Sequence, residues 1–183
     1  RAAALSDDAL DAALQGTRAG AFEGDILADM QGAVFRGGGD YAGIEFIISS
    51  DQRALLCRYA SGRRHLDPQD QLTLEWSGAY AHNHAAMMQT LIISKACKKH
   101  LYMHAVAREA LEACEAAIMP GQPMGDVFAA HAQIFEKAGL GHARLNACGY
   151  AMGAIYNPIW VDFPMFYENN PRLMRERQVF FCI

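Results

Sequence analysis

The chain has 183 residues, 52% of them hydrophobic, 20% charged and 10% aromatic, with a formal net charge of −4. That is enough for one domain with its own core, too apolar for disorder, and too evenly charged for a nucleic-acid binder, which needs a basic stripe. No apolar run approaches the ~20 residues of a membrane span, and no charged-then-apolar leader opens the sequence. The first forty residues have the layout of a helix pair, repeated further on. Ile44–Ser50 and Arg53–Tyr59 are apolar runs joined by Asp51-Gln52 and predict a hairpin, followed by a loop from Gly62 through Pro68. Gln71–Trp76, Ala79–His84 and Met87–Ser94 predict a three-strand meander. Residues 98–118 carry Met103, Val106, Ala110, Ala113, Cys114 and Ala117 at helical spacing and stop at Pro120-Gly121. A further helix runs from about Pro123 to Lys137, with Val127, His131, Ile134 and Phe135 inward and Gly139 as its stop. Arg144–Tyr156 predicts a strand and 157–171 an aromatic-rich loop. The sequence ends inside the apolar run Val179–Ile183, which suggests a piece of a longer polypeptide.

An offset of 101 positions aligns the two helix pairs without gaps. Ala4 meets Ala105, Ala9 meets Ala110, Leu10 meets Leu111 and Ala12 meets Ala113. Gly20 meets Gly121, Gly24-Asp25 meets Gly125-Asp126, Ala28 meets Ala129 and Gly38 meets Gly139. The alanines mean little in an Ala-rich chain. The glycines fall at the interhelix turn, the second helix start and its stop, so they indicate a duplication rather than a solenoid. Helices on a mainly antiparallel sheet make the expected class α+β.

Five cysteines (Cys57, Cys97, Cys114, Cys148 and Cys182) are scattered without a C-x-x-C pair and read as small buried hydrophobes in a reducing cytoplasm. His100 and His104 stand at i, i+4 but beside Lys98 and Lys99, which suits a solvated helix end better than a metal pair. The meander carries more chemistry. A turn at Ser77-Gly78 would set Glu75 opposite Tyr80, Thr73 opposite His82 and Gln71 opposite His84, all on one face. A carboxylate within reach of two imidazoles is an acid/base or nucleophile cluster. The competing account of the same alternation is the solvated side of a half-buried sheet.

The order of helix pair, strands, meander, helix pair and glycine-rich strand resembles the pita-bread superfamily of creatinases, prolidases and methionine aminopeptidases over essentially the whole chain. The resemblance implies an internally duplicated α+β catalytic domain over 1–183, lacking its last strands and the N-terminal domain of the parent protein. Where metallopeptidases of that superfamily carry an Asp-x-Gly and then an Asp-x-Thr-Arg-Thr, this chain has Glu75-Trp76-Ser77-Gly78 and Ala86-Met87-Met88-Gln89-Thr90. Glu75 falls on or beside the first aspartate. Ala86 replaces the second, and Tyr150 replaces the histidine of the glycine-rich strand. Two of three ligand positions are lost, so no metal and no other cofactor is expected.

The strings Arg53–Tyr59, Ser61–Asp67, Asp70–Glu75 and Leu145–Tyr150 resemble bacterial ectoine hydrolases. That resemblance implies a cytoplasmic, homodimeric enzyme that opens the cyclic amidine of a small-molecule substrate, without nucleic-acid or membrane partners. Glu75 would attack or activate water, and His84 or His82 would move protons. Trp160, Phe163, Phe166 and Tyr167 would offer aromatic faces to the cationic ring, and Tyr80, Asn146 and Tyr150 polar contacts. The alternatives are a dinuclear-metal aminopeptidase or dipeptidase, and a non-catalytic module that keeps the fold.

Overall fold

A computed structural model describes residues 1–55 and 62–183, the Leu55 side chain excepted. The chain divides into two compact units, one of residues 1–96 with 153–160 and the other of residues 97–152 with 161–183.

In the first unit, α1 (Ala2–Gly16) and α2 (Glu23–Arg36) precede three antiparallel strands in the order β1-β2-β3: β1 (Ile47–Ser50), β2 (Asp70–Tyr80) and β3 (Asn83–Ile93). Leu5, Ala9 and Ala13 recur at i, i+4 on α1 and are buried with Ile26, Met30 and Val34 of α2. Against them pack Leu72, Leu74 and Trp76, alternate residues on one side of β2. The approach of α1 to β2 is close. The Trp76 indole N–H donates to the Ser6 carbonyl at 3.0 Å and the Gly78 N–H to the Ser6 hydroxyl at 2.6 Å. A Cβ on Gly78 would sit 2.3 Å from the Ala2 carbonyl oxygen.

That contact explains the largest departure from the sequence expectation. Gly78 is a strand residue that lets a helix in, not a turn, so β2 and β3 form one long hairpin rather than a three-strand meander. The turn is at Ala81-His82, whose φ values of 48° and 60° are those of a type I′ loop built without glycine. The first hairpin also differs. Asp51–Leu55 is a 3-10 helix, and β1 pairs with β2 instead, Ile47 opposite Glu75 and Ser50 opposite Leu72. The remainder of the strand expected at Arg53–Tyr59, with Cys57, lies outside the described residues.

The second unit holds α3 (Lys98–Ala117), α4 (Met124–Lys137) and the antiparallel order β5-β4-β6, with β4 at Ala147–Ala151, β5 at Asp162–Tyr167 and β6 at Phe180–Cys182. Its core joins Cys114, Met124, Val127, Phe128, Cys148, Phe166 and Met174. The strand expected over Arg144–Tyr156 is thus shorter, and a strand replaces part of the loop expected at 157–171. Pro164 obscures β5 in the sequence, but β5 is an edge strand and tolerates a missing N–H. Of the described cysteines, Cys114 and Cys148 are buried, Cys182 is half-buried and Cys97 is exposed. His100 and His104 lie on the exposed side of α3. No described helix is long and apolar enough to cross a membrane.

The duplication holds bond by bond. The offset of 101 carries α2 onto α4 end to end. Gly20 N–H donates to Leu66 O at 2.7 Å, Leu66 N–H to Ala21 O at 2.8 Å and Glu23 N–H to Arg64 O at 2.8 Å. Their counterparts are Gly121 to Met174 at 2.8 Å, Met174 to Gln122 at 2.9 Å and Met124 to Arg172 at 2.8 Å. Gly20 and Gly121 have φ of 79° and 85°, and Gly38 and Gly139 have 77° and 70°, a left-handed conformation that glycine adopts without steric cost.

Candidate active site

Glu75 sits on the central strand of its sheet. Its cross-strand neighbours are Ile47 on β1 and Met88 on β3, with Thr73 and Ser77 before and after it on the same face. Glu75 is half-buried, with apolar residues beside it on both neighbouring strands and a hydroxyl residue two positions away on either side along its own. Ala86, opposite Ser77, is its diagonal neighbour.

The register separates the residues that the sequence places together. Tyr80 pairs with Asn83 and faces the opposite side of the sheet from Glu75, where the Arg1 guanidinium lies 4.3 Å from its ring centroid. His84 pairs with Ala79 and stays on the Glu75 face, but four residues further along, about 13 Å at strand rise. His82 is in the turn itself, its ring stacked on Tyr156 at a centroid distance of 4.3 Å.

His84 is buried and both ring nitrogens are engaged. The Gly43 N–H donates to Nε2 at 2.8 Å, so Nε2 is bare and Nδ1 carries the proton, which goes to the His82 carbonyl at 2.7 Å. Burial holds its pKa below the ordinary 6.5. This imidazole is neutral and clamped: it joins the segment at Gly43 to the hairpin tip. Protonation of Nε2 would break the Gly43 bond.

The aromatic candidates are also dispersed. Trp160 is buried within the first unit. In the second unit, Phe166 is a core residue against Phe180, its ring centroid 4.7 Å away, while Phe163 is 75% exposed and Tyr167 is exposed. Tyr150 is buried with its ring 5.4 Å from Phe181, and Asn146 is on the surface. No cage of Trp160, Phe163, Phe166 and Tyr167 is assembled within either unit.

Sequence reasoning missed one polar cluster altogether. The Glu23 carboxylate, fully buried, accepts the Ser50 hydroxyl at 2.5 Å and the Arg64 N–H at 2.9 Å. The Arg64 side chain bonds Ser50 and reaches Asp70 at 3.0 Å. Burial raises the Asp70 carboxyl, but the N–H groups of Asp67, Gln71 and Asp51 and the Arg64 guanidinium outweigh it and hold the pKa below the usual carboxylate value. The network ties α2, β1 and β2 together. Its only signal in sequence is an acid just inside a helix start, which reads equally as a dipole-favoured surface residue.

The donor set can be tested against a metal centre. Ala86 has no side-chain donor atom, and Tyr150, in the second unit, is a buried phenol. Among the described residues, no three of His, Cys, Asp and Glu group closely enough to hold an ion. Within the first unit, Glu75 and its diagonal neighbour Ala86 together supply one side-chain carboxylate, whereas a dinuclear centre needs several oxygen and nitrogen donors.

The chain is 27% identical over 155 residues to an uncharacterized hydrolase/peptidase of Sinorhizobium fredii, covering 83% of this chain and 39% of that protein. It is 19% identical over 179 residues to a Xaa-Pro dipeptidase of Pyrococcus furiosus, covering 98% of this chain and 50% of that protein. The solved prolidase from Pyrococcus furiosus superposes with a TM-score of 0.90 at 18% identity, covering 98% of this chain and 52% of that one. The chain thus spans about two-fifths to half the length of these relatives, and the structural likeness fixes the pita-bread fold. The signature of metallopeptidase family M24 matches residues 1–182, and the chain belongs to that family.

Proposed function

We propose that the protein containing this chain is a metal-independent hydrolase that opens the cyclic amidine of ectoine to N-acetyl-diaminobutyrate, with Glu75 as its acid/base group. The observation that carries this is the donor set: one carboxylate, Glu75, beside an alanine at Ala86, with a tyrosine at Tyr150 where the superfamily's metallopeptidases have histidine. The four strings resembling ectoine hydrolases supply the substrate. An amidinium carbon between two nitrogens is electrophilic without a Lewis acid. Glu75 takes a proton from the attacking water while the new C–O bond forms. The same carboxylic acid then returns the proton to the ring nitrogen as the C–N bond breaks, and the hydroxyl left on the carbon gives its proton to the released amine, leaving an amide and an ammonium group. His84, clamped at both nitrogens, positions the hairpin rather than shuttling that proton, and His82 stands at the turn. The cytoplasmic, homodimeric setting belongs to the same proposal.

Ectoine loss by the intact protein, with and without chelator, is the test. Turnover is expected to survive chelation, and Glu75→Gln to lower kcat at least about 100-fold, the usual scale of acid/base catalysis. Unchanged turnover in the variant would refute the role of Glu75. The second reading, a dinuclear-metal dipeptidase, is favoured by the names of the relatives. It requires stoichiometric Mn, Fe, Co or Zn in purified protein and hydrolysis of an Xaa-Pro dipeptide that chelator abolishes.

A further inference from the structure

We infer that a cleft of the first unit, enclosed by the α2 end, residues 40–46 and residues 155–157, is a binding site for a compact organic cation of quaternary-ammonium type. It encloses about 500 Å³, within the range of small-molecule sites. Two aromatic pairs form its walls. Phe35 and Tyr41 meet edge-on at 4.8 Å and 65°, and His82 and Tyr156 stack at 4.3 Å and 33°. Tyr41 is 83% and Tyr156 65% exposed, so most of each ring is open to a ligand even with His82 against one side of Tyr156 and the Phe35 ring beside Tyr41. The charges are of one sign: Asp40 and Glu45 line the cleft, and no lysine or arginine does among the described residues. Ring quadrupoles and carboxylates both attract a cation, and the effect is strongest when the cation lies within about 6 Å of a ring centroid.

The walls are held before any ligand arrives. The Asp40 carboxylate accepts the His82 N–H at 3.0 Å, and the Asp40 N–H donates to Ala79 O at 2.8 Å. The Ile155 N–H donates to His82 O at 2.9 Å, and the Gly43 N–H to His84 at 2.8 Å. Three of these bonds tie the 40–46 wall to the hairpin tip, and the fourth ties the 155–157 wall to the same place. This explains why the turn carries Ala81 and His82 at positive φ where glycine would be easier: the His82 ring is a wall and its backbone is the knot. Aromatic rings fixed in this way lose little entropy on binding.

Glu75 does not line this cleft. Binding measured without turnover therefore stands or fails separately from the hydrolase reading. The test is calorimetric titration of the intact protein with choline and, in parallel, with 3,3-dimethylbutan-1-ol, which has the same shape without the charge. Choline is expected to bind at least about 10-fold tighter than the alcohol. Tyr41→Ala and Tyr156→Ala are each expected to weaken choline roughly 3- to 30-fold, and Tyr41→Phe, which keeps the ring, to retain most of the affinity. Glu45→Gln should weaken choline several-fold at low salt and leave the alcohol unchanged. Equal binding of choline and the alcohol, absence of saturable choline binding, or indifference to both tyrosine truncations would overturn the assignment. Both tyrosines are largely solvent-exposed, so their truncation leaves no core cavity and misfolding would not mimic the result.

Discussion

The two helix pairs share a backbone and differ in what they bury at its central position. Glu23 and Met124 occupy the same place, the first residue of the second helix, and each is fully buried. In the first unit the carboxylate satisfies Ser50 and Arg64. In the second, the Asn170 side-chain N–H lies 3.8 Å from the Met124 sulfur and donates to the Met165 carbonyl at 2.7 Å. One half closes the joint with charge and the other with a thioether and an amide. The shared ladder of N–H bonds therefore sets the geometry, and the side chain inside it adapts to its neighbours. A duplicated fold keeps its hydrogen-bond frame and glycines more strictly than its core chemistry.

The most forceful way to break this comparison is to give the first unit the second unit's residue. Glu23→Met leaves the Ser50 hydroxyl and the Arg64 N–H without their acceptor in a buried place. It is expected to cost about 2–4 kcal/mol, one to two unsatisfied donors' worth. Urea unfolding of the variant reads this directly. A midpoint shift below about 0.5 kcal/mol equivalent would mean that the two joints are interchangeable and the charge is incidental.

A finer test uses Gly24 and Gly125, equivalent glycines that are small for different reasons. A Cβ on Gly125 would meet the Asn170 backbone nitrogen at 2.9 Å and the Asn169 carbonyl carbon at 3.2 Å, neither of which can move alone. A Cβ on Gly24 would meet the Phe22 ring, nearest at 2.5 Å, a side chain that can swing away. Gly125→Ala is expected to cost about 1–3 kcal/mol by overpacking, and Gly24→Ala less than half as much. Equal losses would show that both glycines answer to helix propensity or to the ladder, and not to what lies across from them.

The same distinction governs what could be read from the sequence. The helix starts and stops were legible because Gly20, Gly38, Gly121 and Gly139 carry positive φ through their own chemistry, a local signal. The hairpin turn was not, because it has no glycine and the His82 backbone is held by Asp40 and Ile155, residues far away in sequence. Gly78 misled for the complementary reason: it is a glycine demanded by helix packing, not by φ. The carboxylate of the candidate site was visible, but its neighbours were not, since a cross-strand partner is a property of register. The real turn lies an even number of residues from the expected one. Alternation therefore kept His84 on the face of Glu75 while moving it along the strand, and Tyr80, absorbed into β2, changed sides.

The smallest effect concerns a third equivalent pair, Met30 on α2 and His131 on α4, both buried. His131 stacks 4.7 Å from Phe135, and its Nδ1 has no hydrogen-bond partner among the described residues. Burial, and then the nearby Arg144 charge, keep its pKa below 6.5. In the unfolded chain the imidazole takes a proton near pH 6.5, while in the folded chain it does so only at lower pH. The unfolded state thus binds more protons across that window. The stability held by the neutral ring is complete above about pH 6.5 and is lost as pH falls toward the folded pKa. His84 obeys the same sign from the first unit, but with both nitrogens bonded. His131→Met imports the first unit's own solution. At pH 7.5 it is expected to be neutral or to stabilise by up to about 1 kcal/mol, because an unsatisfied buried nitrogen is removed. Between pH 6.5 and 5 the variant should lose stability less steeply than the parent, by at most about 1.4 kcal/mol per pH unit, the value of one proton. Urea midpoints over that range decide it. Parallel curves would mean that His131 does not change its protonation on unfolding in that range.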